Sequence, residues 1–491
     1  MAFEHGVYIS EVPTSVRPPT TAEAGLPVVV GASPVCLGDR ANVNKPVLCT
    51  SLAEFNSEMG FIGAGDLADY SLCRMAQVHF GLYGMQPIIA INVLNPDDAG
   101  HMDAVPRAAF AWAAAEMSQT ISVHGIDHET VVLDDGAMVP VAYTLTTDYT
   151  LAYDTDGYTV VTRLAGGGMG AGALPLCHLT YSKMDPAGVD TTDIIGAASV
   201  TANTGLYCIE DVYPRLQKVP GMILAPGYSH EPTVEAVMVA RAASINGVFK
   251  ALVVVDLPAD GYDISDYADC AAWKSSNGYT AAALVCCWPK VTDGTDIYEL
   301  SCHFAGLANK TDAGEGAGVP YVSPSNKATT GVTGACLDDG TEVFLTLAQA
   351  NTLNENGIVT ALNWTGWRLW GNRTAAYPAS SDPKDVFIPI KRMMLWLGNT
   401  QVLTYFGRVD SALNRRLIES VVDSSNIWLN GLKGQGAIIA GETVFAEADN
   451  PTTDLLAGKM KFRTYWTPPP PAESISFLNE YDAAALATLF G

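Results

Sequence analysis

The spacing of apolar residues changes character several times along the chain. Residues 1–22 carry only a short alternation, Val7-Tyr8-Ile9, among Pro13, Pro18 and Pro19, which predicts an extended arm with no core of its own. A continuous apolar run at Leu26–Val30 predicts a buried strand. Ser51 and Glu54 predict a capping box opening a helix, Asp66–Tyr83 holds a longer helical pattern, and Pro87–Leu94 predicts a strand. Strand, helix, helix, strand predicts a layered α/β unit.

From Thr120 to about Tyr181 the period becomes two, as in Val139-Pro-Val141-Ala-Tyr143-Thr-Leu145. Asp154-Thr-Asp-Gly157 supplies turn chemistry between strands expected at Tyr149–Tyr153 and Tyr158–Thr162. The α/β rhythm then returns. Met222–Ala225, Lys250–Asp256 and Ala282–Trp288 read as strands, and the helix after Pro232 carries Val234, Val237, Met238, Ala242 and Ile245 on one face. Further on, Ile390–Phe406 and Asp410–Val422 read as helices, and Ala437–Phe445 and Gly458–Tyr465 as strands. Four prolines at 468–471 follow, an extended run of about 12 Å at ~3.1 Å per residue. Beyond them Glu473–Phe477 alternates like a strand, and Asp482–Phe490 has Leu486, Leu489 and Phe490 at helical spacing.

The expected fold class is a multidomain mixed α/β (α+β) chain. A discontinuous α/β core (23–100 and 205–374) is interrupted by an all-β domain (101–204), because insertions are tolerated at exposed loops of a complete core. Asn95–Gly100 and Ala202–Gly205 are the expected junctions. An α+β domain (375–467) follows, and arms occupy 1–22 and 468–491.

Composition narrows the partners. The chain has 491 residues, with 27 basic and 52 acidic side chains and a net charge of −25, which opposes direct binding to nucleic acid or an anionic membrane. No apolar run approaches the ~20 residues that span a bilayer, and Met1–Ser10 has no basic region leading into an apolar one, so no secretory leader is expected. The ten cysteines show no Cys-x-x-Cys and read as reduced, buried thiols of a protein made in the cytoplasm.

Catalytic chemistry finds little support. No P-loop occurs, and Gly166–Gly172 fails the Gly-x-Gly-x-x-Gly spacing and lies in the β-type stretch, so it reads as a loop. Pro226-Gly-Tyr-Ser-His-Glu231 lacks the second glycine of a nucleophile elbow and reads as a strand-to-helix loop. His124 and His128 would stand about 13 Å apart on a strand at ~3.3 Å per residue, too far for one metal. Cys286 and Cys287, neighbours on a strand, point to opposite faces. Trp364, Trp367 and Trp370 read as a buried aromatic seam rather than a base-stacking platform. No catalytic, metal or cofactor site is expected. An α/β enzyme using the ends of the strands Met222–Ala225 or Lys250–Asp256, and a glycan-binding role for 101–204, are the competing readings.

The two arms are more informative. Isolated strands are unstable in water, so Val7, Tyr8 and Ile9, and Ile475, Phe477 and Leu478, are suited to adding to a sheet edge on a neighbouring subunit. Folding back onto their own chain is equally open on composition alone. Between Lys384 and Lys433 seven basic residues face four carboxylates, a net +3 inside an acidic chain. That region suits an acidic partner, or merely pairs with its local carboxylates.

Four segments resemble the phage contractile tail sheath family. They are Met1-Ala-Phe-Glu-His-Gly-Val-Tyr-Ile-Ser-Glu-Val-Pro-Thr-Ser15, Gly357-Ile-Val-Thr-Ala-Leu-Asn-Trp-Thr-Gly-Trp-Arg-Leu-Trp-Gly-Asn-Arg-Thr374, Asp382-Pro-Lys-Asp385 and Pro471-Ala-Glu-Ser-Ile-Ser-Phe477. The similarity also takes in Leu26–Gly31 and Pro232–Pro258, whereas 101–204 matches only by position, as the variable outer domain. The resemblance implies self-association into six-fold rings stacked helically around a tail tube protein, with baseplate and tail-terminator proteins as further partners. It implies arms reaching into neighbouring subunits, assembly in the bacterial host cytoplasm, and a place in the virion tail. It implies no cofactor. Lys391, Arg392, Arg415 and Arg416 are the candidate residues facing the tube.

Overall fold

The computed structural model describes residues 19–63, 66–112, 116–169 and 177–490. Val7, Tyr8 and Ile9 lie outside the described residues. Three strands open the fold, β1 (Pro27–Gly31), β2 (Val47–Cys49) and β3 (Ile88–Asn92). Ser51 caps the helix Leu52–Met59 by accepting from Glu54 N–H, while the Glu54 carboxylate reaches back to Thr50 N–H rather than to Ser51. The helix expected over Asp66–Tyr83 runs from Ser71 to Ala76 and continues as a π-helical turn to Leu82.

The next six strands are β4 (Met102–Phe110), β5 (Ser118–His124), β6 (Val132–Asp134), β7 (Tyr149–Tyr153), β8 (Tyr158–Arg163) and β9 (Cys177–Met184). They form two antiparallel three-stranded sheets, β4-β9-β6 and β5-β8-β7. The β7–β8 hairpin turns through Asp154–Gly157, where Gly157 takes φ +88 and Asp154 Oδ1 accepts from Asp156 N–H and Tyr158 N–H. The alternating stretch Val139–Leu145 is not a strand. Residues 141–143 make only two backbone bonds to 133–135, so the stretch does not build a strand: Val139 and Val141 stand in solvent and only Tyr143 packs on the apolar cluster. Ile121, Ile126, Leu133, Tyr149, Val161 and Leu179 make a separate apolar cluster here. Arg40 ties this region to the preceding one through Asp97 (2.9 Å), Asp127 (3.0 Å) and Glu129 (2.8 Å).

The chain then returns to the first sheet with β10 (Met222–Leu224), β11 (Leu252–Asp256) and β12 (Leu284–Cys287). A small sheet of β13 (Lys290–Thr292), β14 (Ile297–Tyr298) and β15 (Gly334–Cys336) follows, and β16 (Ile358–Asn363) and β17 (Trp367–Trp370) complete the large one. Its eight strands run β17-β16-β12-β11-β10-β1-β3-β2, parallel except at the two ends. Helices cover both faces, which is why the central strands read as unbroken apolar runs and both Cys286 and Cys287 are buried. The three tryptophans do not form a buried seam. Trp364 sits exposed in the β16–β17 turn, Trp367 and Trp370 are half-buried, and strand alternation sends Trp367 and Trp370 to opposite faces.

Two long helices, Ile388–Tyr405 and Arg415–Gly434, pack beside the antiparallel ribbon of β18 (Ala440–Val444) and β19 (Arg463–Thr467). The helix expected at Asp410–Val422 starts later because Asp410 has φ +63, in the left-handed region, and Asn414 supplies the cap by accepting from Leu417 N–H. Leu417, Val421, Ser425, Leu429 and Leu432 then recur every three or four residues on its buried face. Among the described residues no helix is long and apolar enough to cross a membrane.

Candidate functional site

The crevice at the carboxyl ends of β1 and β10 is the topological switch point where open α/β sheets bind ligands. Here the chain's own charges occupy it. Arg74 holds Glu299 with Nε–Oε2 at 2.9 Å and a second contact at 2.6 Å, and Lys290 lies 3.7 Å from Glu299 and 3.0 Å from Asp338. Burial raises the Glu299 carboxyl, but Arg74 and Lys290 outweigh it and hold the group at about 2. Asp256 accepts from Ser301 N–H (2.9 Å) at the start of the helix Leu300–Gly314, and burial together with Glu299 pushes it up to about 7. The space left beside them is about 70 Å³, room for a few waters and far below the ~300 Å³ of a ligand pocket.

His124 and His128 do not share a strand and are not simply solvated: His124 ends β5 and is buried, and His128 opens the short helical turn His128–Thr130. His124 Nδ1 contacts Asp66 at 2.5 Å and its ring stacks on Tyr158, while His128 Nε2 contacts the Thr159 hydroxyl at 3.0 Å and its ring stacks on Tyr153. Among the described residues no group of three or more His, Cys, Asp or Glu is placed to hold a metal ion.

Sheet edges are the more informative feature. The outer edge of β17 is closed by residues 326–329, with Asn326 N–H donating to Leu369 C=O (2.7 Å) and Thr329 N–H to Trp367 C=O (3.0 Å). At the other end, β2 has only three residues. The β18–β19 ribbon is different. Thr443 faces Thr464 across the ladder, yet Thr443 N–H donates to Asn426 Oδ1 (2.7 Å) and its C=O accepts from Asn426 Nδ2 (3.1 Å). The backbone groups of Thr443 therefore point away from β19, and by antiparallel alternation those of Thr464 and Trp466 point away from β18. Asn426 closes the β18 side, and among the described residues no hydrogen bond takes up the outward groups of Thr464 and Trp466 on the β19 side. Beside that open edge runs a groove of about 850 Å³ lined by Leu397, Val402, Tyr405, Leu417, Val421 and Phe462.

The chain also carries apolar residues with nothing over them. After Thr467 the backbone forms no helix or strand until Ala483, and Ile475 (74%), Phe477 (83%) and Leu478 (99%) are exposed. Exposed apolar side chains beyond β19 and a β19 edge left unpaired among the described residues thus occur in one chain.

The four basic residues singled out in the sequence do not form one patch. Arg392 is 3% exposed, and both its terminal nitrogens bind the Asp312 carboxylate, so it belongs to the interior. Burial makes the Asp312 carboxyl harder to ionise, and Arg392 works against that rise. Lys391 is largely covered and lies 2.9 Å from Asp385. Arg415 and Arg416 are exposed in the first turn of their helix, Arg415 2.7 Å from Glu419. Sequence reasoning missed Asn426, Arg74 and Glu299. The only signal for Asn426 was an amide in the middle of a helix, where such residues are unfavourable without a partner.

These features define a mixed α/β protein whose exposed, unpaired elements are backbone edges rather than reactive side chains. No protein-family model matches the sequence. The tail sheath protein of Burkholderia phage BcepMu is 28% identical over 510 residues, covering 100% of this chain and 99% of that protein. The tail sheath protein of Escherichia phage P2 is 31% identical over 206 residues, 41% of this chain and 49% of that protein. A contracted sheath complex of the extracellular contractile injection system PVC shares the fold with a TM-score of 0.59 at 13% identity, covering 99% of each chain. Over its full length the chain is thus similar to the tail sheath protein of phage BcepMu, and over part of it to that of phage P2.

Proposed function

We propose that the chain is the structural subunit of a contractile tail sheath, polymerising around a tail tube and contracting to drive that tube through the target envelope during genome ejection. The observation that carries this reading is an exposed apolar stretch at 472–482 in a chain whose β18–β19 ribbon has one edge unpaired among the described residues, together with similarity to a tail sheath protein over the full length. Residues 23–100 and 205–374 serve as the core domain, 101–204 as the outer insertion, and 375–467 as the domain nearest the tube. The separate apolar cluster from Ile121 to Tyr181 supports an outer unit within 101–204, while Met184, Val189 and Ile194 pack into the main core. Strand addition of Ile475–Leu478 to the β19 edge of a neighbour, and of Val7–Ile9 to the sheet so extended, links six-fold rings into a helical polymer that is assembled in the host cytoplasm and resides in the virion tail. Baseplate and tail-terminator proteins are the further partners at its ends, with no direct nucleic-acid or membrane contact.

Arg415 and Arg416 remain as the tube-docking pair, because Arg392 is buried against Asp312. Two cations in the first helical turn stand at the positive end of the helix dipole, where they destabilise their own helix by a few tenths of a kcal/mol. That placement favours an acidic partner over a structural role. Negative-stain microscopy of the purified protein tests the class: tubes or ringed polymers are expected, and a stable monomer with both arms ordered on its own body would sink the reading. Arg415→Glu with Arg416→Glu is expected to loosen the sheath from the tube while sheath-only polymers still form. Unchanged co-sedimentation of tube and sheath would remove the docking role.

A further inference from the structure

Only one ion pair among the described residues joins the C-terminal arm to the rest of the chain, Arg373 with Glu473. Its geometry is specific. Arg373 Nε donates to Glu473 Oε1 at 2.8 Å, and a terminal nitrogen reaches the other carboxylate oxygen, the two-pronged arrangement a guanidinium forms with a carboxylate. The guanidinium carbon also lies 4.5 Å from the Tyr377 ring centre and 4.2 Å from that of Phe387. Two aromatic contacts fix the cation's position before the carboxylate arrives.

The arm leaves the body gradually, with Pro468 buried, Pro469 and Pro471 half-buried and the residues beyond exposed. Pro469–Ile475 roof a cleft of about 850 Å³ whose floor includes Tyr321, Asn351 and Trp370. This strap is therefore fixed at two points, the end of β19 at Thr467 and the carboxylate of Glu473, with Pro468–Pro471 between them as a stiff spacer. Immediately past the second point come the uncovered Ile475, Phe477 and Leu478.

We propose that the Arg373–Glu473 pair is a clasp that aims the C-terminal arm, holding its root in the direction from which it reaches a second copy of this chain. This rests on the reading of the arm as an inter-subunit strand. An arm fixed at both ends of its proline spacer has fewer conformations to lose when the next subunit captures it, so the clasp favours assembly without touching the partner. Glu473 and Arg373 are positioning residues, and the folded subunit does not depend on Glu473, whose carboxylate is 40% exposed and lies outside every sheet and helix, whereas Arg373 is 18% exposed and stacked on Tyr377 and Phe387.

The test measures the concentration at which purified full-length protein begins to polymerise, by light scattering, alongside the thermal midpoint of unassembled protein. Glu473→Gln is expected to raise the threshold about three- to tenfold and to leave the midpoint unchanged. Arg373→Lys, which keeps the charge and loses the two-pronged geometry, is expected to fall between. Added salt should narrow the gap between wild type and Glu473→Gln, because it screens a partly exposed pair. A threshold in Glu473→Gln equal to or below that of wild type overturns the clasp. Phe477→Asp with Leu478→Asp separates the two ideas: loss of polymer keeps the arm reading whatever the clasp variants do, and normal polymer removes both.

Discussion

A buried charge is stable only with its partner, and Arg74 and Glu299 are each other's. Arg74→Met leaves Glu299 in the interior facing only Lys290, and is expected to destabilise the subunit by about 3–5 kcal/mol, read from chemical denaturation. Replacing both, as Arg74→Met with Glu299→Leu, should recover most of that loss, because neither charge then has to be desolvated. Acid follows the same logic. Glu299 is held at about 2 against an ordinary value near 4.5, so the unfolded chain binds more protons between those values and stability falls as pH drops from about 4.5 to 2. His79 and His303, which burial holds at about 4 instead of 6.5, add the same sign of change between pH 6.5 and 4. Asp256, raised to about 7 by burial, acts oppositely: its contribution is complete below about 4 and is lost as pH rises through 7. Arg74→Met should abolish the steep loss below pH 4.5 while leaving the histidine region of the profile in place.

At the level of elements, the open edge of β19 gives a sharp expectation. Thr464 directs its N–H away from β18, so Thr464→Pro removes no rung of the ladder that Arg463 and Tyr465 make, yet denies an incoming strand its donor. Assembly should fail while circular dichroism of the subunit stays near wild type. Thr464→Val, which loses only the hydroxyl bonds to Thr443 and Gln401, should still assemble. Neither strand's edge was legible in the sequence. The pattern located two strands near Ala437–Phe445 and Gly458–Tyr465, but which side of each is satisfied depends on Asn426, brought alongside by a helix that begins about five residues later than the pattern indicated. The central strands were legible because burial on both faces writes an unbroken apolar run, as in Val28–Val30 and Val253–Val255. Val139–Leu145 alternates like a strand but makes only two backbone bonds to 133–135, and Arg392 reads as a surface cation although its partner, Asp312, lies 80 residues away in sequence. Long-range pairing of this kind leaves no local trace.

Across the whole molecule, the proposed strand addition uses different surfaces of one chain as donor and acceptor, which makes the contact head-to-tail rather than self-complementary. Subunits carrying Thr464→Pro retain a working arm and lack a receptive edge. Added in small proportion to wild-type protein, they should join growing polymers and stop them, shortening the length distribution seen by negative stain. Subunits with Phe477→Asp and Leu478→Asp should act as the opposite kind of stop, and the two variants mixed together should build no polymer beyond a first contact.

The closed edge at Asn426 and the open one at Thr464 have a bearing on size. In the proposed assembly each subunit that joins fills vacancies on its neighbours and presents fresh ones of its own, so nothing in the contact itself distinguishes the tenth layer from the fiftieth. A polymer of this chain alone should show a broad spread of lengths, and a uniform length must be measured out by some other molecule that acts as ruler or end-stop.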